Sequence, residues 1–251
     1  MTASSAFSLK GKNILITGAS SGIGKATALK CAEYGASLIL VGRNAQKLEM
    51  VLEKLAGQGH QKLQADLSDP TQIVRLVEQC SPVDGIVHCA GIVEPYPLQY
   101  FSRQKVDATF SLNFYAPVQL TSLLLKNKKI KKAGSIVFIS SIASQNPFIG
   151  GSTYSASKAA LEAFARTVAI ESAGKLIRAN CLSPALVKTP IFDEMSENVA
   201  ADTVDDHVKR YPLGLGEPDD VAHAAIFLLS DASKWITGVT IRMDGGLLVG
   251  S

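Results

Sequence analysis

The chain has 251 residues, 47% hydrophobic and 19% charged, with a net charge of +3. That composition suits a globular protein with a generous core and excludes a disordered tail. Three surplus positive charges are too few to make nucleic acid or an anionic membrane the main partner. The cysteines Cys31, Cys80, Cys89 and Cys181 show no C-x-x-C and no metal-ligand spacing. They read as reduced thiols, with no metal site. No apolar run nears the ~18 residues of a membrane span, and residues 1–10 lack the apolar stretch of a signal peptide. A soluble cytoplasmic protein is expected.

Asn13–Thr17 is a short β-branched run of the kind a buried strand needs. It leads into Gly18-Ala-Ser-Ser-Gly22-Ile-Gly24, a helical spacing over 25–34, a stop at Gly35, and a strand at 37–41. Strand, glycine turn, helix, strand makes a βαβ unit, hence a parallel sheet with a right-handed crossover. The alternation continues with a helix at 45–56, a strand at 61–65 and a helix at 69–80 that has Pro70 in its first turn. A strand at 84–89, a long helix at 106–125 and a strand at 135–140 come next, then a second long helix at 153–172. A strand at 177–182, a helix at 219–229 and a strand at 239–243 complete the series. With no linker dividing them, these elements predict a single α/β domain over 1–251, a three-layer doubly wound Rossmann fold with a seven-stranded parallel sheet. Residues 183–218 have no clean period and are expected to form a substrate lid, packed through Ile191, Phe192, Met195 and Val199.

Ligands of such sheets bind beyond the carboxyl ends of the strands. At the first end, Gly18, Gly22 and Gly24, with Ser20, Ser21 and Ile23 in the same turn, let backbone amides approach a pyrophosphate. The spacing is G-x-x-x-G-x-G, and such turns also occur without a ligand. At the second end stands Gly42-Arg43-Asn44. The carboxylate that would hold the ribose of NAD is missing, and a guanidinium suited to the 2′-phosphate of NADP follows. Arg43 is otherwise a plain surface arginine; NADP(H) is the expected cofactor. Asp66, next to Leu67, either accepts from an adenine amino group or caps the following helix. Ala90-Gly91 leaves a small surface on which backbone touches a ribose.

Asn113 lies four residues before Pro117, whose missing amide frees the Asn113 carbonyl to hold a water in a kinked helix. That makes either a proton relay or simply a polar residue in a bent helix. Ser141 follows the strand at 135–140, where a hydroxyl can meet a carbonyl oxygen that is becoming an alkoxide. Ser140 and Ser141 alternate in direction, so only one serves. Tyr154 and Lys158, at i and i+4 of the second long helix, leave one face. An ammonium beside a phenol is expected to lower the phenol's pKa.

These residues, with Arg178-Ala-Asn180-x-x-Ser183-Pro184, Thr189-Pro190, Gly216-x-Pro218-x-Asp220 and Asp244-Gly245-Gly246, resemble the short-chain dehydrogenase/reductase family over nearly the whole chain. The resemblance implies a catalytic tetrad of Asn113, Ser141, Tyr154 and Lys158, with Ser141 and Tyr154 on the substrate. It also implies that Pro184, Val187 and Thr189 sit at the nicotinamide and that Tyr154 and Lys158 contact the cofactor. The reaction implied is NADP(H)-dependent reduction of a ketone or 3-oxoacyl carbonyl, or its reverse. A non-catalytic NADP(H)-binding redox sensor is the alternative. Two departures stand out: His88-Cys89 where the family usually has Asn-Asn, and Ala185 where a glycine is usual. His88 reads as a structural histidine rather than a base.

An apolar pocket lining is expected from Pro147, Phe148 and Ile191, with no arginine placed for a carboxylate substrate. Five lysines in 126–132, at the end of the first long helix, are either a solvated helix end or a docking patch joined by Lys175. The second reading follows from similarity to 3-oxoacyl-acyl-carrier-protein reductases, which dock an acidic carrier. The family also implies a homotetramer built on the two long helices and the C-terminal strand, with 247–249 packing across subunits.

Overall fold

The structure, a computed structural model, describes residues 6–192 and 208–249. Its strands are β1 (Asn13–Thr17), β2 (Ser37–Gly42), β3 (Gln61–Gln64), β4 (Val83–His88), β5 (Ile130–Ile139), β6 (Arg178–Pro184) and β7 (Thr240–Met243). All pair in parallel, in the order β3-β2-β1-β4-β5-β6-β7. The helices are α1 (Gly22–Glu33), α2 (Ala45–Leu52), α3 (Pro70–Gln79), α4 (Arg103–Phe110), α5 (Ala116–Lys126), α6 (Ser152–Ser172) and α7 (Pro218–Leu229).

The central strands are apolar on both faces because helices cover both. Leu15, Ile86, Ile136 and Phe138 pack with residues of α3, α5 and α6 in one core. Their neighbours Ile14, Ile16, Val87 and Val137 pack with α1 and α7 in the other. A continuous hydrophobic run is what this double burial demands. The chain reverses its winding between β1 and β4, and there the Thr17 hydroxyl accepts from the amides of Cys89 (3.1 Å) and Ala90 (3.2 Å). The crevice between these two strand ends is where the fold puts a ligand.

Several boundaries differ from the sequence reading. The first long helix starts at Arg103 and is broken by a π turn over Ser111–Tyr115, directly ahead of Pro117. β5 begins at Ile130, so the lysine run crosses from the end of α5 into the strand. Left-handed backbone at Lys128 and Ala133, together with a register shift against β4, lets this polar stretch pair. The lysines lie at the amino end of β5, about 30 Å from its carboxyl end by strand rise, and Lys129 and Lys131 are engaged by Cys80 O (2.6 Å) and Asp84 (2.8 Å). β6 runs to Pro184, so Ser183 and Pro184 belong to the sheet rather than to the lid. Beyond β6, Val187 bridges Gly216 in parallel. Met195 and Val199 lie outside the described residues.

Candidate active site

Three strand ends and one helix build the site. On α6, Tyr154 and Lys158 share a face, with the ammonium 5.6 Å from the phenol ring centre. The Lys158 Nζ donates to Ile139 O at 2.8 Å, at the end of β5. Lys158 is buried, and that burial pushes its pKa from 10.5 down to about 8. The Tyr154 ring is half-buried, with its hydroxyl deep enough that desolvation raises its pKa, partly offset by the neighbouring Ser141 hydroxyl. The expected lowering by Lys158 is therefore reversed: the ammonium is turned toward a carbonyl, and desolvation is the larger effect.

The two serines diverge as strand alternation requires. Ser141 lines the same cavity as Tyr154, and its hydroxyl accepts from Ala143 N at 3.2 Å. Ser140 points under α6, donating to Glu162 at 2.8 Å. Asn113 lies in the π turn with its side chain fully used. Its Oδ1 accepts from Ile92 N (2.9 Å), and its Nδ2 donates to Ile92 O (2.9 Å) and Ser157 Oγ (3.2 Å). Its carbonyl is the one whose α-helical partner would be the amide Pro117 lacks. Lys158 Nζ and Asn113 Oδ1 both crowd Gly91, where an added Cβ would sit 3.1 Å from that oxygen.

The glycine-turn end of the site shows close backbone approaches. Gly18 has φ +65° and an added Cβ would meet Ala90 N at 2.9 Å; one on Gly24 would fall 2.2 Å from Gly18 O. Thr189 lies over Gly22, its hydroxyl donating to Val187 O at 3.2 Å. Ser20 sits beside Gly42, and Arg43 is exposed at the end of β2 and near enough to help lower the Asp66 pKa. Ser21 precedes α1 with extended backbone and makes no side-chain cap, leaving its hydroxyl uncommitted there. Two of the expected contacts are already committed. Asn44 caps α2 by accepting from Lys47 N, and Asp66 Oδ1 accepts from the amide and hydroxyl of Ser68. The cap of α3 is Asp69, not Asp66; Leu67 is buried beside it.

A cavity of about 750 Å³ joins these parts, reaching from Ile23 and Gly91 past Ser141, Tyr154 and Lys158 to Phe148 and Ile191. Pro184 and Val187 line it too. One expectation is corrected here. Arg210 lines the cavity, and no carboxylate among the described residues does. Leu247 and Leu248 line it as well, because the C-terminal turn folds back over its own chain. No local pattern marks Arg210; it arrives by tertiary folding. Glu162 was legible in principle, since it stands one helical turn beyond Lys158 on the buried face of α6.

Of the departures, His88 is held by packing, whereas Cys89 and Ala185 line the cavity. The His88 ring stacks on Phe138 at 4.9 Å and bonds Thr121 Oγ1 at 3.0 Å, and burial drives its pKa to about 3. Burial raises the Cys89 thiol to about 12, far from a thiolate nucleophile. Among the described residues no helix is long and apolar enough to cross a membrane, and no His, Cys, Asp or Glu cluster could hold a metal.

Over residues 18–248 the chain matches the family model described as enoyl-(acyl carrier protein) reductase. It is 34% identical to the 3-oxoacyl-(acyl-carrier-protein) reductase FabG of Thermotoga maritima, across 96% of this chain and 99% of that one. It is also 34% identical to an L-xylulose reductase of Caenorhabditis elegans, across 94% and 95%. A solved structure of a putative NAD(P)-dependent gluconate 5-dehydrogenase from Beutenbergia cavernae, with bound NADP, superposes with a TM-score of 0.88 at 30% identity, covering 97% of this chain and 99% of that one. With the seven-stranded sheet, the glycine turn and the Ser-Tyr-Lys grouping at its carboxyl edge, the chain belongs to the short-chain dehydrogenase/reductase family.

Proposed function

We propose that this oxidoreductase uses NADP(H) to reduce a ketone or 3-oxoacyl carbonyl to a secondary alcohol, with Tyr154 as the general acid. The observation that carries the reading is the convergence of Ser141, Tyr154 and the buried Lys158 on one cavity, the last two one helical turn apart on α6. Bound NADPH supplies the hydride. Gly18, Ser20, Ser21, Gly22, Ile23 and Gly24 would hold its pyrophosphate, with Arg43 at the 2′-phosphate and Asp66 and Leu67 at the adenine. Asn44, already a helix cap, would contribute through its backbone. Ala90, Gly91, Tyr154 and Lys158 would face the nicotinamide ribose, and Pro184, Val187 and Thr189 the nicotinamide. The choice of NADP over NAD is supported by the Gly42-Arg43 pair and by the NADP in the Beutenbergia cavernae relative.

A Tyr154 pKa raised by burial keeps the phenol protonated at neutral pH, the form reduction needs. Ser141 would donate its hydroxyl to the carbonyl oxygen and hold it within reach of the Tyr154 proton. Lys158, with a pKa of about 8, can take and return a proton near physiological pH. It would restore the Tyr154 proton, with water held at the Asn113 carbonyl as the supply. Arg210 on a wall without carboxylates supports a carbonyl compound whose far end carries a carboxylate or phosphate. The apolar walls suit the body of such a substrate. Acyl-carrier docking on the lysine run stays within the same proposal, but a carrier there lies across the sheet from this chain's own cavity. It would serve another copy in a homotetramer, an assembly supported by the exposure of Tyr115 and Ile170 on the long helices.

The test is Tyr154→Phe, assayed by NADPH oxidation across ketones, diketones and 3-oxoacyl thioesters, with NADPH binding followed by fluorescence. Turnover should be lost while binding persists; a variant that still turns over overturns the assignment.

A further inference from the structure

Ser141 sits between two hydroxyls that play no part in the proposed chemistry. Ser140 Oγ donates to Glu162 Oε1 at 2.8 Å, and Ser144 Oγ donates to that same oxygen at 2.7 Å. Ser140 also approaches the Lys158 carbonyl at 3.4 Å. Glu162 is only 4% exposed and lies on α6, the helix that carries Tyr154 and Lys158. One carboxylate oxygen therefore ties the segment on both sides of Ser141 to the helix that bears its two partners.

A carboxylate is a costly way to fill buried space. The general packing of α6 is already provided by Leu161, Ala165, Val168 and Ala169 in the core. What Glu162 adds is local: both its hydroxyl donors lie within three residues of Ser141, and bonds to an ionised acceptor are the stronger kind. We infer that Glu162 is a positioning residue, which fixes the Ser141 hydroxyl against Tyr154 so that both meet one carbonyl oxygen. The inference rests on the catalytic reading of Ser141 and Tyr154 given above.

The experiment compares Glu162→Leu, Glu162→Gln, Ser144→Ala and the Ser144→Ala/Glu162→Leu pair in the full chain. The readouts are kcat, the KM for NADPH, and the KM for the most active carbonyl compound of the panel. Glu162→Leu should lower kcat by about tenfold to a hundredfold, the scale expected when a reacting group is misplaced by about an ångström. The KM for NADPH should change less than twofold. Glu162→Gln should recover most of the lost kcat, because its amide oxygen still accepts. Ser144→Ala should cost less than Glu162→Leu and add little on top of it, since both remove the same tether.

The inference is overturned if folded Glu162→Leu keeps kcat within twofold, if Glu162→Gln is equally impaired, or if the Ser144 and Glu162 losses simply multiply. Should Glu162→Leu not fold, Ser140→Ala/Ser144→Ala removes both tethers and carries the same expectation and refutation. Tyr154→Phe run alongside separates the two readings. An active Tyr154→Phe sinks the catalytic assignment, whereas an inactive one beside an unimpaired Glu162→Leu sinks only the role of Glu162.

Discussion

Replacing Lys158 by methionine should leave a protein that is catalytically dead and more heat-stable. Lys158 is 5% exposed, and desolvation takes its pKa from 10.5 to about 8. At about 1.36 kcal/mol per pKa unit, carrying that ammonium costs the folded state about 3 kcal/mol at neutral pH. The sign follows from proton counts. Between about pH 8 and 10.5 the unfolded chain holds a proton that the folded chain has released, so stability rises with pH across that window. Below pH 8 the whole penalty is present; above 10.5 it is gone. Methionine keeps most of the apolar stem, but it leaves Ile139 O without its 2.8 Å donor, returning about 1 kcal/mol. The remainder, about 2 kcal/mol, corresponds to a Tm rise of about 4–8 °C for a chain of this size. Thermal unfolding of parent and variant without cofactor, from pH 6.5 to 10.5, should show a gap that is largest at the acid end, closes as the pH rises and has reversed by pH 10.5, where the missing hydrogen bond outweighs what is left of the penalty. A variant no more stable than the parent at pH 7, or a gap independent of pH, would refute the reasoning.

Arg43→Asp should reverse the coenzyme preference. Loss of a charge-assisted phosphate contact worth about 1.5–3 kcal/mol predicts a ten- to hundredfold fall in kcat/KM with NADPH and a gain with NADH, read from steady-state kinetics. His88 is buried neutral with a pKa of about 3, so the folded state binds fewer protons than the unfolded one between there and pH 6.5. Stability should fall as the pH drops through that window, and His88→Asn should flatten the acid limb of a Tm–pH plot; an unchanged limb would assign it to other groups. Arg210→Ala should raise the KM for a carboxylate-bearing ketone about tenfold and leave a neutral ketone of similar size unaffected. Equal effects on both substrates would remove Arg210 from anion recognition.

The strands were readable because a parallel sheet covered on both faces needs unbroken apolar runs, as at Asn13–Thr17 and over 37–41. The glycine turn was readable because only glycine tolerates the approaches seen at Gly18 and Gly24. Pro117 announced a disturbed helix, and the disturbance is the π turn over Ser111–Tyr115. The start of β5 was hidden, since Lys131 and Lys132 look like a solvated helix end; pairing with β4, rather than local preference, makes them strand.

By itself the chain determined the order of its elements, the winding of the sheet and which side chains share a helix face. Those follow from periodicity, glycine placement and i, i+4 spacing, all interactions between residues close in sequence. Folding in three dimensions decided the rest. It turned Lys158 toward Ile139 rather than the phenol, raised Tyr154 instead of lowering it, brought Arg210 and Leu248 to the cavity, and set Glu162 between Ser140 and Ser144. Desolvation and contact between distant segments govern each of those outcomes, and neither exists until the layers close.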